Sequence, residues 1–191
     1  MQGTAWVDTR ERYQKQSYRN RARILTGNGV QTLTVPVEHR TGPTPIREAR
    51  IDYKMPWQRT HWRTIVSAYG NSPYFLYYLD PLKPFYETKF EFLFDYNLQL
   101  TRTILHMMRI VAEPRLTDGD TPTDACDLRE VIHPKGASLP SYRLRLQSPY
   151  YQVFEDRYGF VPNLSILDLL FNTGPDANRY LKTLSDLYTF C

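Results

Sequence analysis

Three arginines at two-residue spacing form a basic segment near the start of the chain. Arg19, Arg21 and Arg23 stand in a run that also contains Ser17 and Asn20. If this run is extended, alternate side chains point to opposite faces, so the three guanidinium groups would share one face. Guanidinium groups bind carboxylates and phosphates through paired N–H donors, while hydroxyl and amide groups add neutral hydrogen bonds. These five residues therefore predict a binding site for the phosphate or carboxylate group of a substrate.

His61 is the best candidate for a general acid or base. Residues 57–69 follow Pro56 and carry Trp57, His61 and Ile65 at four-residue intervals, which predicts a helix with these side chains on one face. Histidine titrates near neutral pH, and the adjacent Trp57 joins the candidate substrate-binding residues. The alternative is a half-buried histidine that only hydrogen-bonds the backbone, which is the commoner role of a lone histidine.

Two carboxylates are candidates to orient His61. Asp52 comes shortly before the predicted helix, and Asp168 lies in a C-terminal segment that is apolar on nearly every side. If Asp168 is buried its carboxylate needs a partner, and we expect Arg19, Arg21 or Arg23 to supply it through a bidentate pair. Asp168 is therefore either a structural tie between the two ends of the chain or a member of the active site.

Common enzyme motifs are absent from the sequence. It contains no G-x-G-x-x-G, P-loop, G-x-S-x-G, H-E-x-x-H or C-x-x-C pattern, so the cofactor stays unknown. No three of the four histidines stand at zinc-ligand spacing, and neither cysteine has a second ligand nearby, so we predict no metal site. Cys126 and Cys191 are expected to be free thiols in a reducing compartment.

Charge is unevenly distributed along the 191 residues. The net charge is +4, and the segment 10–63 holds twelve lysines and arginines against four carboxylates. This asymmetry favours a small anionic partner, such as a nucleotide sugar or an acyl donor, although a solvated basic face would show the same pattern. Nucleic acid is a less favoured partner because +4 is modest. The chain has no apolar run of membrane-spanning length and no signal peptide, which predicts a cytoplasmic protein.

Local patterns predict a small sheet followed mainly by helices. A turn at 27–29 predicts a hairpin over 23–37, and a short strand is predicted over 46–53. Helices are predicted over 57–69, 74–79, 83–111, 151–160 and 163–172, the last with Asn163 as its N-cap, and a short strand over 128–132. We therefore predict a single α+β domain spanning 1–191, in which a small antiparallel sheet from the N-terminal third is packed by several helices.

Several of these motifs occur together, in one order, in a known family. They are the segments Lys15 to Ile24, Asn28-Gly29, Leu33 to Val37, Ile46 to Asp52, Trp57-Gln58 with His61, Gln152 to Glu155, and Gly159 to Asn172. In this order the chain resembles the WbqC-like family, except that a Pro-aromatic segment usual before the position of Val7 is missing. The resemblance implies a bacterial cytoplasmic protein from a family whose name-giving member is associated with O-antigen synthesis.

Two functions follow from the residues and the resemblance together. In the first, the protein transfers an acyl or aminoacyl group to a nucleotide-linked amino sugar in surface polysaccharide synthesis. The arginines would hold the diphosphate, His61 would take a proton from the attacking amine, and Asp52 or Asp168 would orient His61. In the second, the protein binds an anionic metabolite or a protein partner without catalysis.

Overall fold

The computed structural model describes residues 4–39, 41–120, 122, 125–129, 132 and 148–186. Within these ranges the chain forms four short strands and seven α-helices. They are β1 (Trp6–Asp8), β2 (Arg21–Thr26), β3 (Gly29–Thr34), α1 (Trp57–Tyr69), α2 (Phe75–Leu82), α3 (Pro84–Glu87), α4 (Leu93–Met107), β4 (Arg115–Thr117), α5 (Glu155–Tyr158), α6 (Ile166–Thr173) and α7 (Asp176–Asp186). The fold is α+β, as the sequence predicts.

Strands β2 and β3 form the predicted antiparallel hairpin. Their register runs from Arg21 opposite Thr34 to Thr26 opposite Gly29, which leaves a two-residue turn. Gly29 has φ +97°, a backbone conformation that side chains with a Cβ rarely adopt. Strands β1 and β4 form a separate parallel pair.

Helix α1 packs its apolar face on the hairpin. Trp57, His61, Ile65 and Ala68 are all buried, which confirms the spacing argument. Ile24 on β2 and Ile65 on α1 are fully enclosed. Each such side chain stabilises the fold by roughly 1.5–3 kcal/mol relative to an exposed one. The hairpin and α1 thus form a rigid support for the groups around them.

The helix predicted over 83–111 is two helices, α3 and α4. Between them the backbone is extended and pairs with residues 49–51: Ile51 N–H donates to Glu91 O at 3.0 Å, and Leu93 N–H donates to Ala49 O at 2.8 Å. The backbone of this segment makes long-range hydrogen bonds in place of helical ones, so the helix predicted from the local pattern is interrupted here. The strand predicted over 46–53 is also wrong, because Ile46–Glu48 forms a 3-10 turn and the rest makes only isolated bridges.

The C-terminal helices differ from the prediction at their ends. The helix predicted over 151–160 is the single turn α5, and α7 was not anticipated. Helix α6 is capped by Ser165, whose Oγ accepts a hydrogen bond from Leu167 N–H at 3.3 Å. Asn163, the predicted cap, instead has φ +58° and lies outside the helix. The strand predicted over 128–132 falls partly outside the described residues.

The bonding state of Cys126 differs from the free thiol predicted from the sequence. This residue is disulfide-bonded, so the prediction of a free thiol is wrong at this position, while Cys191 lies outside the described residues. Disulfides are uncommon in reducing compartments, so the cysteines no longer argue for one. Among the described helices, none is long and apolar enough to cross a membrane.

Candidate functional site

A cavity of about 180 Å³ lies where the hairpin, α4 and the start of α6 meet. We call it the Arg21 pocket. Its apolar wall consists of Ala22, Ile24, Leu33, Val35, Leu100, Ile104 and Leu167. Its polar wall consists of Tyr18, Arg19, Asn20, Arg21, His61, Tyr86, Tyr96, Asn97 and Ser165. Of the nine predicted site residues, the structure brings Arg19, Asn20, Arg21 and His61 to this pocket.

The turn before β2 determines where the first of these residues lie. Gln16 has φ +60°, and Ser17 Oγ donates to Gln14 O at 2.7 Å. Ser17 is fully buried and stabilises the turn rather than lining the pocket. Asn20 continues the hairpin by one residue, because Val35 N–H donates to Asn20 O at 2.9 Å, and Asn20 Nδ2 donates to Val35 O at 2.9 Å.

The three predicted arginines do not share one face. Strand β2 begins at Arg21, so Arg19 belongs to the turn and the alternation of an extended chain does not reach it. Arg19 and Arg21 line the pocket, whereas Arg23 does not. Arg19 forms an ion pair with Glu11, and its Nη1 donates to Gln14 Oε1 at 3.3 Å.

Arg21 has no counter-charge among the described residues. No described carboxylate forms an ion pair with it, and its Nε is buried without a hydrogen-bond partner. Its charge acts on Tyr13: burial raises the pKa of this phenol, and the positive charge of Arg21 partly offsets the rise. Arg21 is therefore a cationic residue of the pocket lining without a described counter-charge, and a bound anion would neutralise it.

His61 is a neutral imidazole on the pocket wall. Burial lowers its pKa from 6.5 to about 4, and the backbone of Thr34 opposes this effect only in part. The ring centroid lies 5.1 Å from that of Trp57 in an edge-on contact, as the helical spacing predicts. Trp57 itself is buried behind His61 and does not line the pocket.

Asp52 lies away from His61. Its Oδ1 accepts a hydrogen bond from Lys54 N–H at 2.8 Å, and its Oδ2 lies 3.8 Å from Lys54 Nζ. Asp52 does not line the pocket, and no described carboxylate acts to raise the pKa of His61. The carboxylate–imidazole pair expected from the sequence is thus not assembled in this state of the protein.

Asp168 is buried, but its partners are not arginines. Tyr69 Oη donates to Asp168 Oδ1 at 2.9 Å, and Tyr150 Oη and Gln152 Nε2 donate to Oδ2 at 2.7 Å and 2.9 Å. The expected arginine pair is therefore wrong. Burial raises the pKa of Asp168, and the three hydrogen bonds oppose this rise. The network joins α1, α6 and the segment before α5, and Asp168 does not reach the pocket.

Several pocket residues were not identified from the sequence. Tyr96, Leu100 and Ile104 belong to a stripe that predicts core packing, and Asn97 stands beside that stripe. Asn97 Nδ2 donates to Arg19 O at 2.6 Å. The local sequence signal for the α4 side of the pocket is a polar residue next to an apolar helical stripe. The same signal occurs where a helix stripe meets solvent, so it does not identify a pocket.

Metal ligation has no candidate set in the part of the chain that the structure describes. No group of three or more histidine, cysteine, aspartate or glutamate side chains there is arranged to hold a metal ion. The polar side chains of the Arg21 pocket carry two guanidinium groups, amides, hydroxyls and one imidazole. Such groups bind organic anions better than metal cations.

Comparison with known proteins finds matches along most of the chain. The sequence model of the WbqC-like protein family matches residues 5–133 and 133–180. The "Uncharacterized protein Rv1507c" of Mycobacterium tuberculosis (strain ATCC 25618 / H37Rv) is 31% identical over 194 residues, covering 89% of this chain and 84% of that protein. No solved structure matches the chain.

Proposed function

The chain belongs to the WbqC-like protein family, and we propose that it binds a small organic anion in the Arg21 pocket. The observation that carries this proposal is that Arg21, a cationic residue without a described counter-charge, is part of the pocket lining. The apolar wall excludes water from one side of the site, which strengthens the attraction between a guanidinium and an anion. The occupant would place its anionic group near Arg21 and its apolar part against Ile24 and Leu100.

The size of the cavity limits what it can enclose. Clefts that bury most of a drug-sized ligand measure roughly 300–1,000 Å³, whereas this one measures about 180 Å³. A whole nucleotide sugar exceeds this space, so only one part of such a molecule would enter. A small acid, or the acyl or sugar part of a larger donor, suits the cavity better.

Transfer of an acyl or aminoacyl group to a nucleotide-linked amino sugar, in O-antigen or other surface polysaccharide synthesis, is the second candidate function. The observation in its favour is that His61 lines the pocket as a neutral imidazole, the form that accepts a proton. A base with a pKa of about 4 is weak at neutral pH, and neither Asp52 nor Asp168 orients it. Binding is therefore the better supported proposal, and catalysis requires that a bound anion raise the pKa of His61.

Two further proposals concern the domain organisation of the chain and its cellular compartment. We propose one domain over residues 1–191, and a cytoplasmic protein whose anionic partner is a metabolite rather than nucleic acid. In the fold, α1 and α6 both pack on β2, which ties the N-terminal and C-terminal parts together. Recovery of the protein in a cytoplasmic fraction, and one cooperative unfolding transition, are the measurements that check these two proposals.

A ligand panel tests the binding proposal. Thermal stability is measured with short carboxylates, sugar phosphates, nucleotide sugars, coenzyme A thioesters and short single-stranded DNA. A ligand at about 100 times its Kd stabilises the fold by roughly 2.7 kcal/mol, which is readily detected. We expect Arg21→Ala to abolish this stabilisation. Arg23→Ala, which removes the same charge two residues along β2 but outside the pocket, should retain it.

The outcomes separate the two functions. Equal stabilisation of both arginine variants would refute the role of Arg21, and a panel without any stabilising anion would refute the binding proposal itself. If an anion binds, an amino sugar nucleotide and an acyl thioester are incubated together with the protein. Product that forms with wild type and is lost in His61→Gln would support the transfer reaction.

A further inference from the structure

Glu11 neutralises one of the two arginines of the Arg21 pocket. Its carboxylate pairs with the Arg19 guanidinium, and the two side chains are only 21% and 14% exposed. Gln14 Oε1 accepts a second hydrogen bond from Arg19, and Asn97 holds the Arg19 backbone. Glu11 itself does not line the pocket. The Arg19 charge is therefore largely cancelled before any ligand enters.

Arg21 is then the arginine of the pocket lining for which the described residues offer no counter-charge. No aspartate or glutamate is among the described residues that line the pocket, and Arg21 has no counter-charge there. His61 adds no charge at neutral pH because burial lowers its pKa to about 4. With Glu11 counted against Arg19, the described residues of the pocket lining thus carry a net formal charge of +1.

The apolar wall makes a second negative charge on the occupant costly. The cost of removing an ion from water rises with the square of its charge, whereas its attraction to one guanidinium rises only in proportion. Ile24, Leu33, Leu100, Ile104 and Leu167 provide no donors to replace lost water. A dianion would therefore lose more by desolvation than it gains from Arg21.

We infer, on the basis of the proposed binding function, that the Arg21 pocket selects small amphipathic monoanions over dianions and pyrophosphates, and that Glu11 sets this selectivity from outside the pocket. Glu11 acts through Arg19, so it determines specificity without touching the ligand. The substrate class is then a small carboxylic acid or an equivalent singly charged group attached to an apolar body, and the diphosphate of a nucleotide sugar would not lie in this cavity.

Two pairs of probes with similar skeletons test this inference by titration calorimetry. Benzoate is compared with phenyl phosphate, which is close to a dianion at about pH 8 because the second phosphate pKa is near 6. Butyrate is compared with succinate. In wild type we expect each monoanion to bind on the order of tenfold more tightly than its dianionic counterpart.

Two variants assign the selectivity to Glu11. In Glu11→Gln the Arg19 charge is released, and the ratio of the two Kd values should move by about tenfold towards the dianion. The double variant Glu11→Gln with Arg19→Gln removes the released charge and should restore the preference for the monoanion. Glu91→Gln is the matched control, because it removes a paired carboxylate that is 58% exposed and outside the pocket.

The outcomes distinguish this inference from the function on which it rests. If both members of a pair bind wild type equally well, or if Glu11→Gln leaves their ratio unchanged, the inference is overturned while binding by Arg21 stands. If no probe binds wild type, or if Arg21→Ala binds them as well as wild type does, both fall. The wild-type comparison decides the selectivity even if Glu11→Gln does not fold.

Discussion

Acidification is expected to destabilise this protein through His61. Burial lowers the pKa of His61 from 6.5 to about 4, so the folded chain binds this proton less readily than the unfolded chain. Between these pH values the unfolded state carries the additional proton, and stability therefore falls as the pH is lowered through this window. At roughly 1.4 kcal/mol per pKa unit, the full loss is about 3 kcal/mol, a large part of the typical 5–15 kcal/mol of a folded protein.

The measurement is the free energy of unfolding in urea at about pH 7.5, 6 and 4.5 for wild type and His61→Gln. Glutamine does not titrate, and its side-chain N–H can replace the imidazole in its interaction with the Thr34 backbone. Other groups contribute to the pH dependence of both proteins, so the informative quantity is the difference between them. From about pH 7.5 to about pH 4.5, the free energy of unfolding of wild type should fall by roughly 2.5 kcal/mol more than that of the variant.

The control is His106→Gln, which removes an exposed imidazole from α4. This variant retains His61 and is expected to keep the same loss of stability in acid. If the difference between wild type and His61→Gln stays constant within about 0.5 kcal/mol over this pH range, His61 is not buried as a neutral base. The pocket would then not contain a neutral imidazole at this position.

Three further substitutions test the packing around the site, each by the free energy of unfolding in urea. Tyr69→Phe removes a 2.9 Å hydrogen bond to the buried carboxylate of Asp168 and should cost about 1.5–3 kcal/mol. Gly174→Ala should cost more than about 1 kcal/mol, because Gly174 has φ +56° and an added Cβ would lie 2.4 Å from the Tyr74 ring. Ser165→Ala removes the N-cap of α6 and should cost about 1 kcal/mol.

Each of these substitutions has a matched control. Tyr77→Phe removes a hydroxyl from a side chain that is 78% exposed, and it should leave stability nearly unchanged. At Gly27 an added Cβ would make only ordinary contact, 3.6 Å from Phe154, so Gly27→Ala should be tolerated. Ser165→Asp keeps an acceptor for the first turn of α6 and should retain stability. A control as destabilised as its partner would count against the corresponding contact.

Local patterns in the sequence determined the hairpin and the first helix. The turn residues at 27–29 require particular backbone angles, and the apolar side chains of α1 repeat every three or four residues. Both signals arise from neighbours within one element, so one sequence is enough to detect them. The same periodicity predicts Trp57 beside His61, which the 5.1 Å distance between their ring centroids confirms.

Part of the pocket lining could be named from the sequence, but its arrangement could not. Arg19, Asn20, Arg21 and His61 are candidates from the sequence that line the pocket, and the role of each stays a prediction. The sequence did not show that Glu11 cancels the charge of Arg19. An ion pair of this kind depends on how the backbone turns between the two residues, and alternation along an extended chain gave the wrong geometry for the turn.

Tertiary structure alone decided the partners of Asp168 and the break between α3 and α4. Tyr69 is separated from Asp168 by 99 residues, and no local pattern distinguishes this phenol from the other tyrosines of the chain. The break forms because the backbone at 91–93 pairs with residues 49–51. Buried carboxylates and buried backbone amides both need hydrogen-bond partners. Which distant group becomes the partner depends on the packing of the whole chain.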